Sequence, residues 1–200
     1  MNERPLLMTA RDEQRERTRQ RLFECALMVF RRDGVDACRI DDIATAAGVS
    51  RASFYFHFPT KEHVLLDRMR ETEEVICNAI DELPESATIV DVLAVMNAQL
   101  AAVWEPDPSL LPEICGAALR LAATAMSDQE ATRMRSCLVA RFRIGVGRGE
   151  IRARLPADVL SDLYLGHTLA ALLAWYGNRA LSLPATLTAV TDLFWNGARD

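Results

Sequence analysis

The sequence has 200 residues, of which 50% are hydrophobic and 26% are charged, with five scattered cysteines and a formal net charge of −5. These values are typical of a soluble globular protein of one or two domains, and without clustered Cys/His pairs we expect no metal site and no cofactor. The amino terminus lacks a long apolar segment, and the longest apolar run, 163–176, is too short to cross a bilayer. We therefore expect a cytoplasmic protein without a signal peptide or a membrane partner.

Strand signals are lacking along the chain, whereas apolar residues mostly recur at spacings of three and four, which predicts an all-α fold. Gly34 should end the first helix, Ser50 should cap the third, and Pro59 should end it. The pattern Ser127-Asp-Gln-Glu130 is that of a capping box and should open the seventh helix. We predict nine helices, at about 11–32, 39–47, 51–57, 60–83, 88–104, 111–126, 127–147, 156–178 and 184–197.

The second and third predicted helices form a helix-turn-helix. Ile43 seats the first of them on the core, and Gly48 permits the left-handed backbone that ends it. Phe54 and Phe58, four residues apart, should hold the next helix against the core. The alternative is plain packing of two short helices without any nucleic-acid contact. The outward positions are left to Arg51, Ala52, Ser53, Tyr55, Phe56 and His57.

The outward face has the chemistry that double-stranded DNA requires. The Tyr55 hydroxyl and a His57 ring nitrogen can donate hydrogen bonds to phosphate oxygens, which position a protein on the duplex. Arg51 can reach either a guanine edge or a phosphate, and Ala52 can touch a thymine methyl group. Lys61 opens the next helix, where a cation opposes the helix dipole, and a bound phosphate would offset that cost.

The distribution of charge favours the same region. Residues 1–63 contain 11 Lys or Arg and 10 Asp or Glu, a net charge of +1, whereas residues 64–200 contain 12 and 18, a net charge of −6. The first third of the chain is therefore the expected seat of a polyanionic partner. Arg11, Arg15 and Arg19 share one helix face, either as a solvated stripe or in glancing contact with DNA phosphate.

Residues 41–65, DDIATAAGVSRASFYFHFPTKEHVL, closely resemble the DNA-binding signature of the TetR family of bacterial transcriptional regulators, and the resemblance covers about 22–66. The rest of the chain is similar only in layout, with a divergent helical region that ends in two long helices. The resemblance implies a helix-turn-helix head at residues 1–60, an effector-binding and dimerisation body at residues 61–200, and a homodimer. It also implies a repressor that a small molecule releases from operator DNA.

The resemblance further implies which residues contact the operator. The family's phosphate-contacting lysine falls on Lys61, and a second-helix contact falls on Thr45. This chain departs from the family where the second helix opens, because Cys38 and Arg39 replace the usual Thr-Thr pair. The capping hydroxyl is then lost, and we expect Arg39 to contact phosphate instead. The family's recognition-helix contacts fall on Ser50, Arg51, Ala52, Ser53, Tyr55 and His57.

The last two predicted helices indicate a subunit interface. Small residues along the eighth helix let a neighbouring helix approach closely, and apolar residues of the ninth follow spacings of three and four. Two such helices from each subunit would form a four-helix interface by two-fold symmetry. The alternative is a core within one chain, and the family resemblance favours dimerisation. The predicted interface residues are Leu163, Gly166, Ala170, Ala174, Leu187, Val190 and Phe194.

The apolar body predicts a hydrophobic or aromatic effector rather than a highly charged one. Arg120 and His167 are the expected polar anchors if the effector carries a carboxylate or a hydroxyl group. Each of the other candidates has ordinary core packing as its alternative. These candidates are bulky or polarizable side chains of the body, namely Met96, Trp104, Cys115, Met126, Phe142 and Trp175.

Catalysis is not expected. The three histidines, at positions 57, 63 and 167, form no nucleophile set with Ser, Cys or Asp by position, and no carboxylate pair lies in an apolar helix. The sequence therefore predicts a one-component regulator that binds double-stranded operator DNA, a small-molecule effector and a second copy of itself. Two alternatives stay open, a helical ligand-binding or scaffold protein with a vestigial head, and a DNA-binding activator or nucleoid-type protein.

Overall fold

A computed structural model describes residues 9–125, 132–151 and 155–199. Within these residues the chain forms nine α-helices and no β-strand, so the predicted all-α fold is confirmed. The helices are α1 (Ala10–Asp33), α2 (Ile40–Ala46), α3 (Arg51–His57), α4 (Lys61–Asp81), α5 (Ile89–Trp104), α6 (Leu111–Ala125), α7 (Arg133–Gly147), α8 (Ala157–Gly177) and α9 (Leu183–Arg199).

The chain divides into two compact units, an amino-terminal unit that ends at Leu65 and a carboxy-terminal unit that begins at Leu66. The division falls inside α4, because Val64 and Leu65 near the start of that helix are buried with the amino-terminal unit. One continuous helix therefore belongs to both units. The functional boundary predicted between residues 60 and 61 stays a prediction.

The amino-terminal unit is built from α1, α2, α3 and the start of α4. Phe23, Leu27 and Phe30 follow spacings of four and three on the buried face of α1. This apolar face is essential, since α2 and α3 have seven residues each and helices of that length are not stable alone in water. Gly34 ends α1 with a φ of 80°, as the sequence predicted.

The turn between α2 and α3 has the predicted geometry. Gly48 has a φ of 64°, in the left-handed region that glycine adopts without a steric penalty. The Ser50 hydroxyl caps α3 by accepting a hydrogen bond from the backbone N–H of Ser53 at 3.1 Å. The helix then ends just before the buried Phe58. Because both ends of α3 are defined, the direction of each of its side chains is defined as well.

The carboxy-terminal unit contains the rest of α4 and helices α5 to α9. α8 packs against α6, α7 and α9, and α5 packs against α7 and α9. A capping box opens α5, in which the Asp91 carboxylate accepts a hydrogen bond from the Thr88 backbone N–H at 2.8 Å. In the described part of the chain, no helix is both long and apolar enough to cross a membrane.

The start of α7 differs from the prediction. Thr132 caps this helix by accepting a hydrogen bond from the Arg135 backbone N–H at 3.3 Å, so α7 begins at Arg133. Thr132 offers the same kind of hydroxyl group as Ser127, and spacing alone does not distinguish the two. The predicted capping box at 127–130 and the candidate effector residue Met126 lie outside the described residues.

A buried hydrogen-bond network joins α5, α8 and α9. The Tyr164 hydroxyl donates to Asn97 Oδ1 at 3.1 Å and lies 2.9 Å from Thr191 Oγ1. Asn97 Nδ2 donates to Thr191 Oγ1 at 2.7 Å, and that hydroxyl donates to the Leu187 carbonyl at 3.0 Å. Each polar group gains a protein partner in place of water, as an apolar core requires. Burial raises the pKa of Tyr164, so its hydroxyl stays protonated at neutral pH.

Replacing Tyr164 with phenylalanine should therefore destabilise the carboxy-terminal unit. The change removes one hydroxyl and leaves the Asn97 oxygen buried without its donor, so we expect the free energy of unfolding to fall by about 1–3 kcal/mol. Chemical denaturation followed by circular dichroism measures this loss. Tyr176→Phe is the matched control, because Tyr176 is exposed and should shift the free energy by less than about 0.5 kcal/mol. Equal losses in both variants would contradict a structural role for the network.

Candidate DNA-binding site

The aromatic residues of α3 and Phe58, the residue that follows it, lie on two opposite faces. Phe54 and Phe58 are buried, with ring centroids 5.8 Å apart, and they attach the helix to the amino-terminal core. Tyr55 and Phe56 point outward, and Phe56 is 65% exposed. This division confirms the two faces predicted for the run. Aromatic rings that stay exposed to water do not add to the stability of the amino-terminal unit. The outward face of α3 is therefore the first candidate for a contact surface.

Arg51 spans the two helices of the motif. Its Nη1 lies 3.3 Å from the Asp41 carboxylate on α2, and its Nη2 donates to the Tyr55 hydroxyl at 3.4 Å. These partners raise the pKa of Arg51, through the Tyr55 hydrogen bond first, so the guanidinium keeps its charge. Both members of the ion pair are exposed, and exposed pairs add little stability. Arg51 is therefore held near the surface by contacts that a stronger acceptor can replace.

The arginines of α1 pack against the end of α3. The guanidinium of Arg15 lies 5.1 Å from the Phe56 ring centroid, and that of Arg19 lies 5.1 Å from the Phe58 ring centroid. Burial and then the positive charges of Arg15 and Arg19 lower the pKa of His57, so the imidazole is neutral at neutral pH. Arg15 and Arg19, for which the sequence left open a solvated position or contact with DNA phosphate, therefore make cation–π contacts. Sequence spacing missed this arrangement because it joins residues that are far apart in the chain.

Lys61 is the only lysine in the sequence, and its ammonium group is engaged inside the amino-terminal unit. Nζ donates hydrogen bonds to the carbonyl oxygens of Val35, Asp36 and Cys38, at 2.6, 3.2 and 3.0 Å. Three protons on a compact ammonium group suit three converging oxygens, whereas the planar fork of arginine does not. Lys61 thereby holds the connection between α1 and α2. A DNA phosphate would have to compete with three internal acceptors for this side chain.

The start of α2 lacks the side-chain cap, as the Cys38-Arg39 pair predicted. Arg39 occupies the cap position with an extended backbone and no side-chain hydrogen bond to the helix. Asp41 and Asp42 lie in the first turn, where negative charge favours the helix dipole and offsets the missing hydroxyl. Cys38 is buried, whereas Arg39 and Thr45 are exposed at the two ends of α2. Both predicted contact residues are therefore accessible to a partner.

Comparison with known proteins identifies the family. Residues 22–67 match the family model of the bacterial regulatory proteins of the tetR family. The chain is 35% identical over 99 residues to the HTH-type transcriptional regulator SrpR of Pseudomonas putida, over 50% of this chain and 46% of SrpR. It is 35% identical over 97 residues to TtgW, an uncharacterized HTH-type transcriptional regulator of the same species, over 48% of this chain and 71% of TtgW. The chain belongs to the TetR family.

The matched segment spans less than half the length of SrpR, so the likeness in sequence concerns only part of both proteins. The fold of most of the chain is nevertheless shared with a solved structure of the TetR family. The structure of Thermus thermophilus FadR, a TetR-family transcriptional repressor in complex with lauroyl-CoA, matches 90% of this chain and 94% of FadR with a TM-score of 0.73. At 22% identity this likeness shows the shared fold alone.

The predicted effector residues of this TetR-family chain occupy several separate places. Phe142 and His167 belong to an aromatic cluster with Tyr164 and Phe194, in which the Tyr164 and Phe194 centroids are 5.2 Å apart. The ring centroid of Trp104 lies 5.5 Å from the Arg68 guanidinium carbon. Arg120 and His167 are exposed. Apart from Arg120 and His167, the candidates that the structure describes are buried, namely Met96, Trp104, Cys115, Phe142 and Trp175.

A shallow hollow on the carboxy-terminal unit involves other residues. Its volume is about 470 Å³. Small side chains of α5 line it, and none of the predicted effector residues does. The hollow is therefore not the site that the sequence predicted. Its lining consists of Ala98, Ala101, Ala102, Glu105, Pro106 and Pro184.

The predicted interface residues divide into exposed and buried sets. Leu163 and the small residues Gly166, Ala170 and Ala174 are exposed along α8. The assignment of Leu187 is wrong, because this side chain is only 1% exposed in a single chain and belongs to the core of its own subunit. Val190 and Phe194 are half-buried, the latter within the aromatic cluster. Leu193 on α9, which apolar spacing did not single out, is 74% exposed.

Lys61→Met should weaken the amino-terminal unit because three carbonyl groups lose a charged donor. We expect the free energy of unfolding to fall by about 2 kcal/mol and the amides of residues 35–38 to exchange faster with solvent. Lys61→Arg should restore the charge but little of the stability. Arg11→Met, which removes an exposed charge from α1, is the control and should have little effect. Full rescue by arginine would contradict the proposed geometric requirement for an ammonium group.

Proposed function

We propose that this protein is a one-component transcriptional regulator that binds double-stranded operator DNA through α3 and represses transcription as a homodimer. The observation that carries the proposal is the division of the α3 aromatics, with Phe54 and Phe58 buried and Tyr55 and Phe56 exposed. Membership of the TetR family supports the same conclusion. Exposed rings beside arginines combine apolar contact with charge, which suits the edges and the backbone of a DNA groove.

Two kinds of DNA contact follow from this face. Phosphates would accept hydrogen bonds from Tyr55, from the neutral ring of His57 and from the backbone N–H groups of Arg51 and Ala52 in the first turn of α3. A base edge would accept from Arg51 once it leaves Asp41. Lys61 positions the connection into α2. The proposed contact residues are Arg39, Thr45, Ser50, Arg51, Ala52, Ser53, Tyr55 and His57.

Dimerisation through α8 and α9 is part of the proposal. The exposed stripe of Gly166, Ala170 and Ala174 lets a second helix approach closely, and Leu163 and Leu193 add apolar area beside it. Two-fold pairing of α8 and α9 from each subunit would form a four-helix interface. Such a dimer presents two copies of α3 to half-sites about 34 Å apart in a roughly palindromic operator.

An apolar or aromatic small molecule is the proposed effector. The carboxy-terminal unit supports this because most of its buried side chains are apolar and aromatic rings cluster around Tyr164. FadR, which shares the fold, forms a complex with lauroyl-CoA. Binding would shift the population toward a state in which the two copies of α3 no longer match adjacent major grooves. We further propose that the protein is cytoplasmic and has no enzymatic activity.

Selection of bound duplexes from a random pool tests the function directly. We expect a palindromic site whose affinity falls steeply with salt, because each neutralised phosphate releases counterions. Tyr55→Ala should lower the affinity at least about tenfold, through lost phosphate and groove contacts. Met28→Ala is the matched control, since Met28 is also an exposed apolar residue of the amino-terminal unit but lies on α1. A folded dimer that enriches no sequence would favour the alternative of a helical ligand-binding protein with a vestigial head.

Arg51→Ala tests whether this residue reads a base. If it does, the variant should lose preference at one position of each half-site, by about 1–3 kcal/mol between the best base and the others. Competition titrations with single-base variants of the selected site measure that preference. Asp41→Asn is the companion variant, because it frees Arg51 from its ion pair without removing it. A uniform loss on every duplex would mean that Arg51 contacts phosphate only.

A further inference from the structure

Two cysteine side chains, one on α4 and one on α7, contact each other. Cys77 on α4 is 1% exposed, and Cys137 on α7 is half-buried. The Cys77 thiol forms a side-chain hydrogen bond with the Cys137 sulfur. Both cysteines are free thiols. The pair could not be predicted from the chain alone, because sixty residues separate the two positions and no short Cys spacing marks them.

Contacts on both sides of the thiols hold α4 and α7 together. The Arg133 guanidinium donates to Asn78 Oδ1 at 2.7 Å, and Arg141 donates to the Ile80 carbonyl at 2.6 Å. The Glu73 carboxylate accepts hydrogen bonds from the start of α7, including the backbone N–H of Met134. Each of these residues lies within about one helical turn of Cys77 or Cys137. The proximity of the two sulfurs is therefore built into the packing of α4 on α7.

The two thiols have different environments. The hydrogen bond from Cys77 lowers the pKa of Cys137. The guanidinium groups of Arg141 and Arg133 act in the same direction, whereas burial and the Asp81 carboxylate oppose it, and the net pKa is lowered. The same hydrogen bond and burial raise the pKa of Cys77. Cys137 is thus the thiol that ionises first and is also the more accessible one, as an attacking cysteine must be. Cys77 is placed to act as the resolving thiol.

We propose that Cys77 and Cys137 are an oxidation-sensitive pair that closes to an intrachain disulfide when the protein meets a hydroperoxide. The Cys137 thiolate attacks one peroxide oxygen, the O–O bond breaks, and the leaving oxygen takes a proton to give water or an alcohol. The Cys137 sulfenic acid then reacts with the Cys77 thiol, which loses its proton, and the S–S bond forms with release of water. Two thiols are oxidised and one peroxide is reduced.

The disulfide would tie α4 covalently to α7. α4 is the helix shared by both units, and its first residue is Lys61, which holds the connection into α2. Oxidation should therefore alter DNA binding, a consequence that rests on the proposed function. The thiol chemistry itself does not rest on it, and the two are measured separately.

Mass spectrometry of the full-length protein after treatment with hydrogen peroxide tests the pair. We expect a peptide in which Cys77 and Cys137 are linked, which dithiothreitol separates. Alkylation by iodoacetamide at neutral pH should be at least about threefold faster at Cys137 than at Cys25, a half-buried cysteine on α1. In Cys77→Ser, dimedone should trap the sulfenic acid at Cys137. Circular dichroism checks that this variant is folded.

The outcomes separate the chemistry from its consequence. Modification of Cys137 no faster than that of Cys25, with no linked peptide, would overturn the proposal. Titration of a selected duplex with oxidised and reduced protein then measures the effect on DNA, which we expect to be a loss of about tenfold that is absent in Cys137→Ser. A linked peptide with unchanged affinity would overturn the regulatory role and leave the disulfide standing. Failure of the reduced protein to bind any duplex would instead overturn the proposed function.

Discussion

The left-handed turn at Gly48 and the burial of Phe54 and Phe58 set the orientation of everything that α3 presents to solvent. A helix of seven residues has too little internal stability to hold its own direction, so its direction is decided by the two rings that it buries. Once those rings are placed, Tyr55 and Phe56 must face outward, since the helical repeat leaves no other side for them. The same aromatic run therefore provides both the anchor of the helix and its contact surface.

Much of this arrangement could be predicted because it depends on local features of the chain. The helix bounds follow from apolar spacing, from the hydroxyl of Ser50 as a cap and from Gly34 and Gly48 as helix ends. These signals act over a few residues and are visible in the sequence. The all-α fold and the faces of α3 were accordingly correct.

Apart from the start of α7, the errors and omissions concern contacts between distant residues. The phosphate contact expected for Lys61 stays a prediction, but its hydrogen bonds to three carbonyl groups were not foreseen, because they depend on how the start of α4 packs beside the end of α1. Leu187 was assigned to a subunit interface because apolar spacing does not tell which partner a helix face meets. Spacing alone also offered no reason to bring Cys77 to Cys137. Each of these contacts is a product of tertiary packing, and a single sequence carries no direct signal of it.

The central claim is that the outward face of α3 contacts DNA while its inward face only holds the fold. NMR spectra of protein with isotope-labelled Phe and Tyr rings, recorded with and without a selected duplex, test this most directly. We predict large chemical-shift changes for Tyr55 and Phe56 and small ones for Phe54 and Phe58, because only the first two rings reach the surface. Equal changes for all four rings, or changes confined to the carboxy-terminal unit, would contradict the account.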